Sequence, residues 1–198
     1  MRFTAACTLL FVLQSLVLTP TFGAVEADFF DSIKSSEIVF AGDRDDKPLL
    51  DLANPQPVVL FFLSKDCPCA TSHLEHLSNL SRIFKDLSFI GVSVDRSLEV
   101  EDLRAFYLSR VSFTVIDDRN HHLARRLEAL TTPHAFVFDS IGEIIYSGAV
   151  TGSATFDEER SSRRHLQEAL TRLKEGEAPN RTRTRPLGCA IPYSRGES

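Results

Sequence analysis

Tryptophan is missing from this 198-residue chain and methionine occurs once, so any aromatic core must rest on its 15 phenylalanines and 3 tyrosines. Cysteine is scarce too: four residues are too few for a small scaffold whose cross-links replace a core. Positive charge is not in excess. With 22 basic residues against 27 acidic ones, the net charge of −5 disfavours binding along a phosphate backbone. No segment repeats at a fixed period and none is low in complexity, which sets aside collagen and coiled coils. What is present is ordinary for one globular domain, with 43% hydrophobic and 25% charged residues.

The compartment is written at the start. Arg2 precedes an apolar run from Phe3 to Leu18, followed by Thr19-Pro20-Thr21-Phe22-Gly23-Ala24. A short positive start, a hydrophobic stretch and a small-residue region describe a secretory signal peptide over residues 1–23, with cleavage as late as residue 27. Retention of the segment as a membrane anchor is the competing reading, and Pro20 with the small residues after it favours cleavage. Cys7 is then lost, and the mature chain keeps Cys67, Cys69 and Cys189 where disulfides persist. The expected location is secreted or periplasmic, with no membrane contact after cleavage. An odd number of cysteines there draws attention to their chemistry.

Strand and helix patterns alternate along the rest. Ile38-Val39-Phe40 reads as a short strand, leading through a polar turn into a second at Leu49-Leu50-Asp51-Leu52. Pro57 to Leu63 is a continuous apolar run, as a strand buried on both faces requires. Leu74, Leu77, Leu80, Phe84 and Leu87 then recur at spacings of three and four, the mark of an amphipathic helix. Strands are expected at Phe89–Val94 and Phe113–Ile116, with helices at Val100–Arg110 and His121–Leu130. Two strands, Ala135–Asp139 and Glu143–Ser147, meet at Ser140-Ile141-Gly142, a hairpin signal. A last helix is expected over Glu158–Lys174. The fold class is α/β: a central mixed β-sheet flanked by helices over residues 37–175, then an irregular cysteine-bearing tail over 176–198.

Cys67 sits where the buried strand passes into the helix. Pro68 suits the first helical position, where its missing N–H costs nothing. Free N–H groups and the positive helix end stabilise a thiolate, so a cysteine in this place is a candidate nucleophile. Lys65 assists that and Asp66 opposes it. The bland alternative is that Cys67 and Cys69 are buried apolar residues or halves of ordinary disulfides.

The stretch from Pro57 to Gly148 resembles the thioredoxin-like superfamily, in particular secreted redoxins of the TlpA/ResA type and peroxiredoxins. The resemblance rests on VVLFFLSKDCPC, FIGVSVD and TTPHAFVFDSIGEIIYSG. It implies a thiol–disulfide oxidoreductase with no cofactor, exchanging electrons with protein thiols or disulfides, a redox partner protein, or peroxide. It also implies a cis-proline at Thr132-Pro133 that packs against Cys67 and shapes the substrate face. Two departures stand out. Asp66-Cys67-Pro68-Cys69 is one residue shorter between sulfurs than the thioredoxin pattern. Ser64 and Cys67 match the end of the peroxiredoxin pattern, but Leu60 stands where its proline belongs.

Leu187-Gly188-Cys189-Ala190-Ile191 forms an apolar island in the polar tail. Three pairings are open: Cys67–Cys69, Cys67–Cys189 and Cys69–Cys189. Cys69 or Cys189 is the candidate resolving thiol, and a Cys69–Cys189 staple holding the tail down is the structural alternative. A metal-binding reading, of the kind shown by Sco-type copper chaperones, would use Cys67, Cys69 and His134. His73 and His76 share a helix face with Cys69 and are expected to be half-exposed, while His121 and His122 are expected to open a surface helix.

Overall fold

The computed structural model describes residues 27–42, 50, 56–158 and 163–193. The expected signal peptide, the polar turn after Gly42 and most of the strand expected at residues 49–52 lie outside the described residues. Leu50 alone of that strand is described, and it is buried.

In chain order the elements are α1 (Ala27–Ser35), β1 (Ile38–Phe40), β2 (Val58–Leu63), α2 (Pro68–Ile83) and β3 (Ser88–Ser93). Then come α3 (Val100–Leu108), β4 (Thr114–Asp117), α4 (His122–Arg126), β5 (Thr131–Thr132), β6 (His134–Phe138) and β7 (Ile144–Gly148). The chain finishes with α5 (His165–Lys174) and β8 (Cys189–Ala190). Six strands form one mixed sheet in the order β1-β4-β3-β2-β6-β7. β2 runs parallel to β3, as does β3 to β4, while β6 is antiparallel to both β2 and β7. β5 and β8 pair as a separate two-stranded sheet.

β2 explains why the sequence reads as an unbroken apolar run. All six of its residues are buried, and its side chains alternate between two cores because successive strand residues face opposite sides. Val59, Phe61 and Leu63 enter the core beneath α2, α3 and α5, with Leu77, Leu103 and Leu170. Val58, Leu60 and Phe62 enter the other, with Phe29 and Ile33 of α1 and Leu123 of α4. Phenylalanines fill these layers edge to face, as in Phe61–Phe113 at 4.8 Å between centroids and Phe62–Phe136 at 5.9 Å.

Several expectations change. α1 precedes the expected domain start at residue 37 and packs against the sheet through fully buried Phe29 and Ile33. The helix expected over His121–Leu130 is only His122–Arg126. His121 takes a left-handed conformation (φ 56°) and so does Glu128 (φ 51°), which ends the element. His121 is not on the surface: it is fully buried, with Nε2 2.9 Å from the Val94 carbonyl. Asp118 instead caps this helix, accepting from the Leu123 and Ala124 N–H groups at 3.0 and 2.9 Å. α5 begins at His165 rather than Glu158. His73 and His76 are buried rather than half-exposed.

Candidate active site

The site lies where β2 ends. Ser64, Lys65 and Asp66 turn the chain, and the Cys67 N–H closes the turn on the Ser64 carbonyl at 3.3 Å. Buried Asp95, just past β3, holds this turn from below. Its carboxylate accepts from Ser64 Oγ at 2.6 Å, the Lys65 N–H at 3.0 Å and Ser93 Oγ at 2.8 Å. Lys65 and Asp66, whose charges act oppositely on a thiolate, lie 3.7 Å apart and largely offset each other.

Cys67 is the N-cap residue of α2, with extended backbone (φ −95°, ψ 110°) and Pro68 following at the first helical position. Its sulfur accepts the Ala70 N–H at 3.4 Å, so it fills the place a capping hydroxyl or carboxylate usually takes. The side chain is 2% exposed. On its other side the Thr132 carbonyl oxygen lies 3.0 Å from Sγ. The Thr132–Pro133 bond is cis, as the resemblance implied.

The tail supplies the third part. Of the three open pairings the structure forms Cys67–Cys189, joining residues 122 positions apart with Cα atoms at 6.0 Å. Cys69 is a free thiol, so neither the Cys67–Cys69 pair nor the Cys69–Cys189 staple is present. β8 lies antiparallel to β5, with Cys189 opposite Thr132 and Ala190 opposite Thr131. Cys69 remains close, and the sulfurs of Cys67, Cys69 and Cys189 all lie within 4.8 Å of one another. Among the described residues these three sulfurs are the group that could hold a metal ion, once the disulfide is reduced.

His134 does not join them. Its Nδ1 accepts the Leu130 N–H at 3.1 Å and its Nε2 is 3.3 Å from Ser147 Oγ, which ties the ring to β7. Burial, with the Arg183 guanidinium adding to it, pushes its pKa down to about 4. His73 turns its Nδ1 to the Cys69 carbonyl at 2.7 Å and its Nε2 to Thr151 Oγ1 at 2.9 Å. The Ser64 hydroxyl, proposed for a peroxidase role by pattern, is engaged by Asp95.

Residues 37–147, more than half of the chain, match the family model described as AhpC/TSA family. The chain belongs to the AhpC/TSA family. Solved structures agree on its thioredoxin-like fold. An uncharacterized conserved protein from Geobacillus kaustophilus is 19% identical with a TM-score of 0.66, over 74% of this chain and 82% of that one. A hypothetical protein from Sinorhizobium meliloti 1021 is 18% identical with a TM-score of 0.66, over 73% and 84%. A thioredoxin-like protein in its oxidized form is 18% identical with a TM-score of 0.54, over 69% and 87%. At these identities the likeness is one of fold. No curated protein matches the chain.

Within this AhpC/TSA member, pattern reading had singled out Cys67, Cys69, Cys189, Thr132 and Pro133, and the structure brings them to one place. It missed Asp95, which the sequence shows only as an acidic residue at the end of the run FIGVSVD. It missed the anchoring of the tail on β7. There the Ser147 N–H donates to the Thr182 carbonyl at 2.9 Å, and the Thr184 N–H donates back to the Ser147 carbonyl at 3.0 Å. Thr184 Oγ1 also meets the buried Tyr146 hydroxyl at 2.7 Å. The signal for that docking was faint: small and β-branched residues among the arginines of the tail.

Proposed function

We propose that this protein is a secreted or periplasmic thiol–disulfide oxidoreductase, with Cys67 as nucleophile and Cys189 as resolving thiol. The observation that carries the reading is the Cys67–Cys189 disulfide with its sulfur at a helix start and a third thiol, Cys69, in the same cluster. The Cys67 thiolate attacks one sulfur of a substrate protein disulfide. The Cys67–substrate bond forms, the substrate's own S–S bond breaks, and its other sulfur leaves as thiolate. Cys189 then attacks Cys67 Sγ, the substrate departs as a dithiol, and the observed disulfide is the product. A dithiol redox protein resets it by the same exchange, and no cofactor is needed. Thr132 and Pro133 border the reacting sulfur, and Asp95 positions its turn. Among the described residues no helix is long and apolar enough to cross a membrane, and the N-terminal pattern supports export.

The reading is tested by insulin reduction with a thiol donor. Cys67→Ser should abolish turnover. Cys189→Ser should accumulate mixed disulfides at Cys67, whereas Cys69→Ser should keep most of the activity. Full turnover in Cys67→Ser would end the proposal.

Family membership favours a second reading, peroxide reduction by the same pair. The Cys67 thiolate would take one oxygen from hydrogen peroxide, releasing hydroxide. Condensation with the Cys189 thiol would expel water and leave the same disulfide. Peroxide consumption in the presence of dithiothreitol, with and without insulin activity, separates the two.

A further inference from the structure

The tail is seated in its groove by more than its disulfide. Gly188, Cys189, Ile191 and Tyr193 each meet a specific part of the wall, while Ala190 and Pro192 are exposed. Gly188 lies against the Thr132 carbonyl and Pro133 nitrogen, so close that any Cβ there would fall on the backbone. Cys189 stands opposite Thr132 and Ala190 opposite Thr131, with Ala190 facing solvent. The Ile191 N–H donates to the Leu130 carbonyl at 3.1 Å, and its side chain is 5% exposed within the core that holds Phe62 and Phe136. The Tyr193 hydroxyl donates to the Ala129 carbonyl, and its ring meets His121 edge-on at 5.7 Å. The groove therefore reads an extended segment with a small residue, a cysteine bonded to Cys67, a free position, an aliphatic residue, a second free position and an aromatic residue.

We propose that this groove is the substrate site, that it selects extended segments of the pattern Gly-Cys-x-Ile-x-Tyr, and that the tail is its built-in competitor. The inference rests on the oxidoreductase reading and adds the substrate segment and the control of access. Two observations argue for it. The bond from Cys189 to Cys67 Sγ is the same bond a substrate cysteine makes in the mixed disulfide. When the tail leaves, the edge of β5 is left with unpaired backbone groups and an empty slot where Ile191 was. Such an edge recruits an extended peptide, with affinity from the backbone and selectivity from the alternate side chains. Substrate and tail cannot occupy it together, so the tail must swing out for attack and return for resolution. Its upstream hydrogen bonds to Ser147 keep it nearby meanwhile.

The test uses the full chain with Cys69→Ser and Cys189→Ser, reduced, so that the adduct on Cys67 accumulates. The probe is the peptide Leu-Gly-Cys-Ala-Ile-Pro-Tyr with its cysteine blocked as the mixed disulfide with 5-thio-2-nitrobenzoate. Attack by Cys67 on the peptide sulfur joins peptide to protein and releases the coloured thiolate; peptide mapping locates the adduct. The peptide should react about tenfold faster than versions carrying Val for Gly or Asp for Ile, since each loses a fit worth at least a methylene. Adding Ile191→Asp to the protein should speed the unaltered peptide severalfold, because the competitor is weakened. The reduced natural chain should rank the three peptides in the same order, which guards against misfolding of the double variant. Equal rates for all three peptides, while the symmetric nitrobenzoate disulfide still labels Cys67, would overturn the groove and leave the oxidoreductase reading standing. No labelling of Cys67 by that small reagent would overturn both. An unchanged rate with Ile191→Asp would remove the tail as competitor.

Discussion

His134 illustrates how one side chain links protonation to the site. Because Nδ1 accepts the Leu130 N–H, it must be bare, so the proton of the neutral ring sits on Nε2 and faces Ser147. Charging the ring puts a second proton against that N–H, on the same residue whose carbonyl accepts from Ile191. Burial, and then Arg183, lower its pKa to about 4 from the ordinary imidazole value of 6.5. The folded chain thus binds this proton less tightly than the unfolded chain. Its contribution to stability is complete above pH 6.5 and is lost as pH falls toward about 4. His76 acts in the same direction, lowered to about 4 by burial, then by Arg164 and His73. Asp118 opposes them, because burial raises its carboxyl and its share grows as pH falls. Urea unfolding should therefore show stability declining below pH 6.5, with His134 supplying at most about 1.4 kcal/mol per pH unit. His134→Asn, which keeps an acceptor for Leu130, should flatten that slope; an identical slope in the variant would contradict the assignment.

At the scale of elements, α1 carries more of the fold than its place just after the N-terminal apolar run suggests. Phe29 and Ile33, one helical turn apart, are both fully buried, and Phe29 packs on Phe138 at 5.7 Å. Phe29→Ala should cost about 3–5 kcal/mol in urea denaturation, the range for removing a buried aromatic ring. A loss below about 1 kcal/mol would place α1 outside the cooperative unit. The sequence reading passed over this helix because it abuts the leader pattern, whose apolar run masks a separate amphipathic period. It succeeded where one local pattern decides the outcome. The run Pro57–Leu63 suits a strand buried on both sides and forms one over Val58–Leu63, and the hairpin turns at Gly142 with φ 86°, a conformation glycine adopts freely. It failed where partners are distant. Nothing local to His121 announces the Val94 carbonyl, and nothing local to Cys189 chooses Cys67 over Cys69. The available clues were a glycine before a cysteine and an isoleucine after it in an otherwise polar tail.

Over the whole molecule, the Cys67–Cys189 bond ties the first helix after the central strand to the far end of the chain. It closes a loop of 122 residues, most of the folded domain. In the chain-entropy account such a loop restricts the unfolded ensemble by about 5 kcal/mol, an upper figure because unfolded chains keep residual structure. The folded state has its own hold on the tail: the β5–β8 pair, the hydrogen bonds to Ser147, and burial of Ile191, worth about 1.5–3 kcal/mol. Reduction should therefore leave the domain folded but lower its melting temperature by roughly 10–20 °C, given the usual scaling for domains of this size. The denaturant slope should rise at the same time, since the uncrosslinked chain exposes more surface on unfolding. Cys189→Ser should melt with the reduced natural chain, because both keep the tail by non-covalent contacts alone. Coincident melting of the oxidised and reduced chains would show that the closed loop restrains nothing. Melting of Cys189→Ser well below the reduced chain would show that the thiol itself packs against the site.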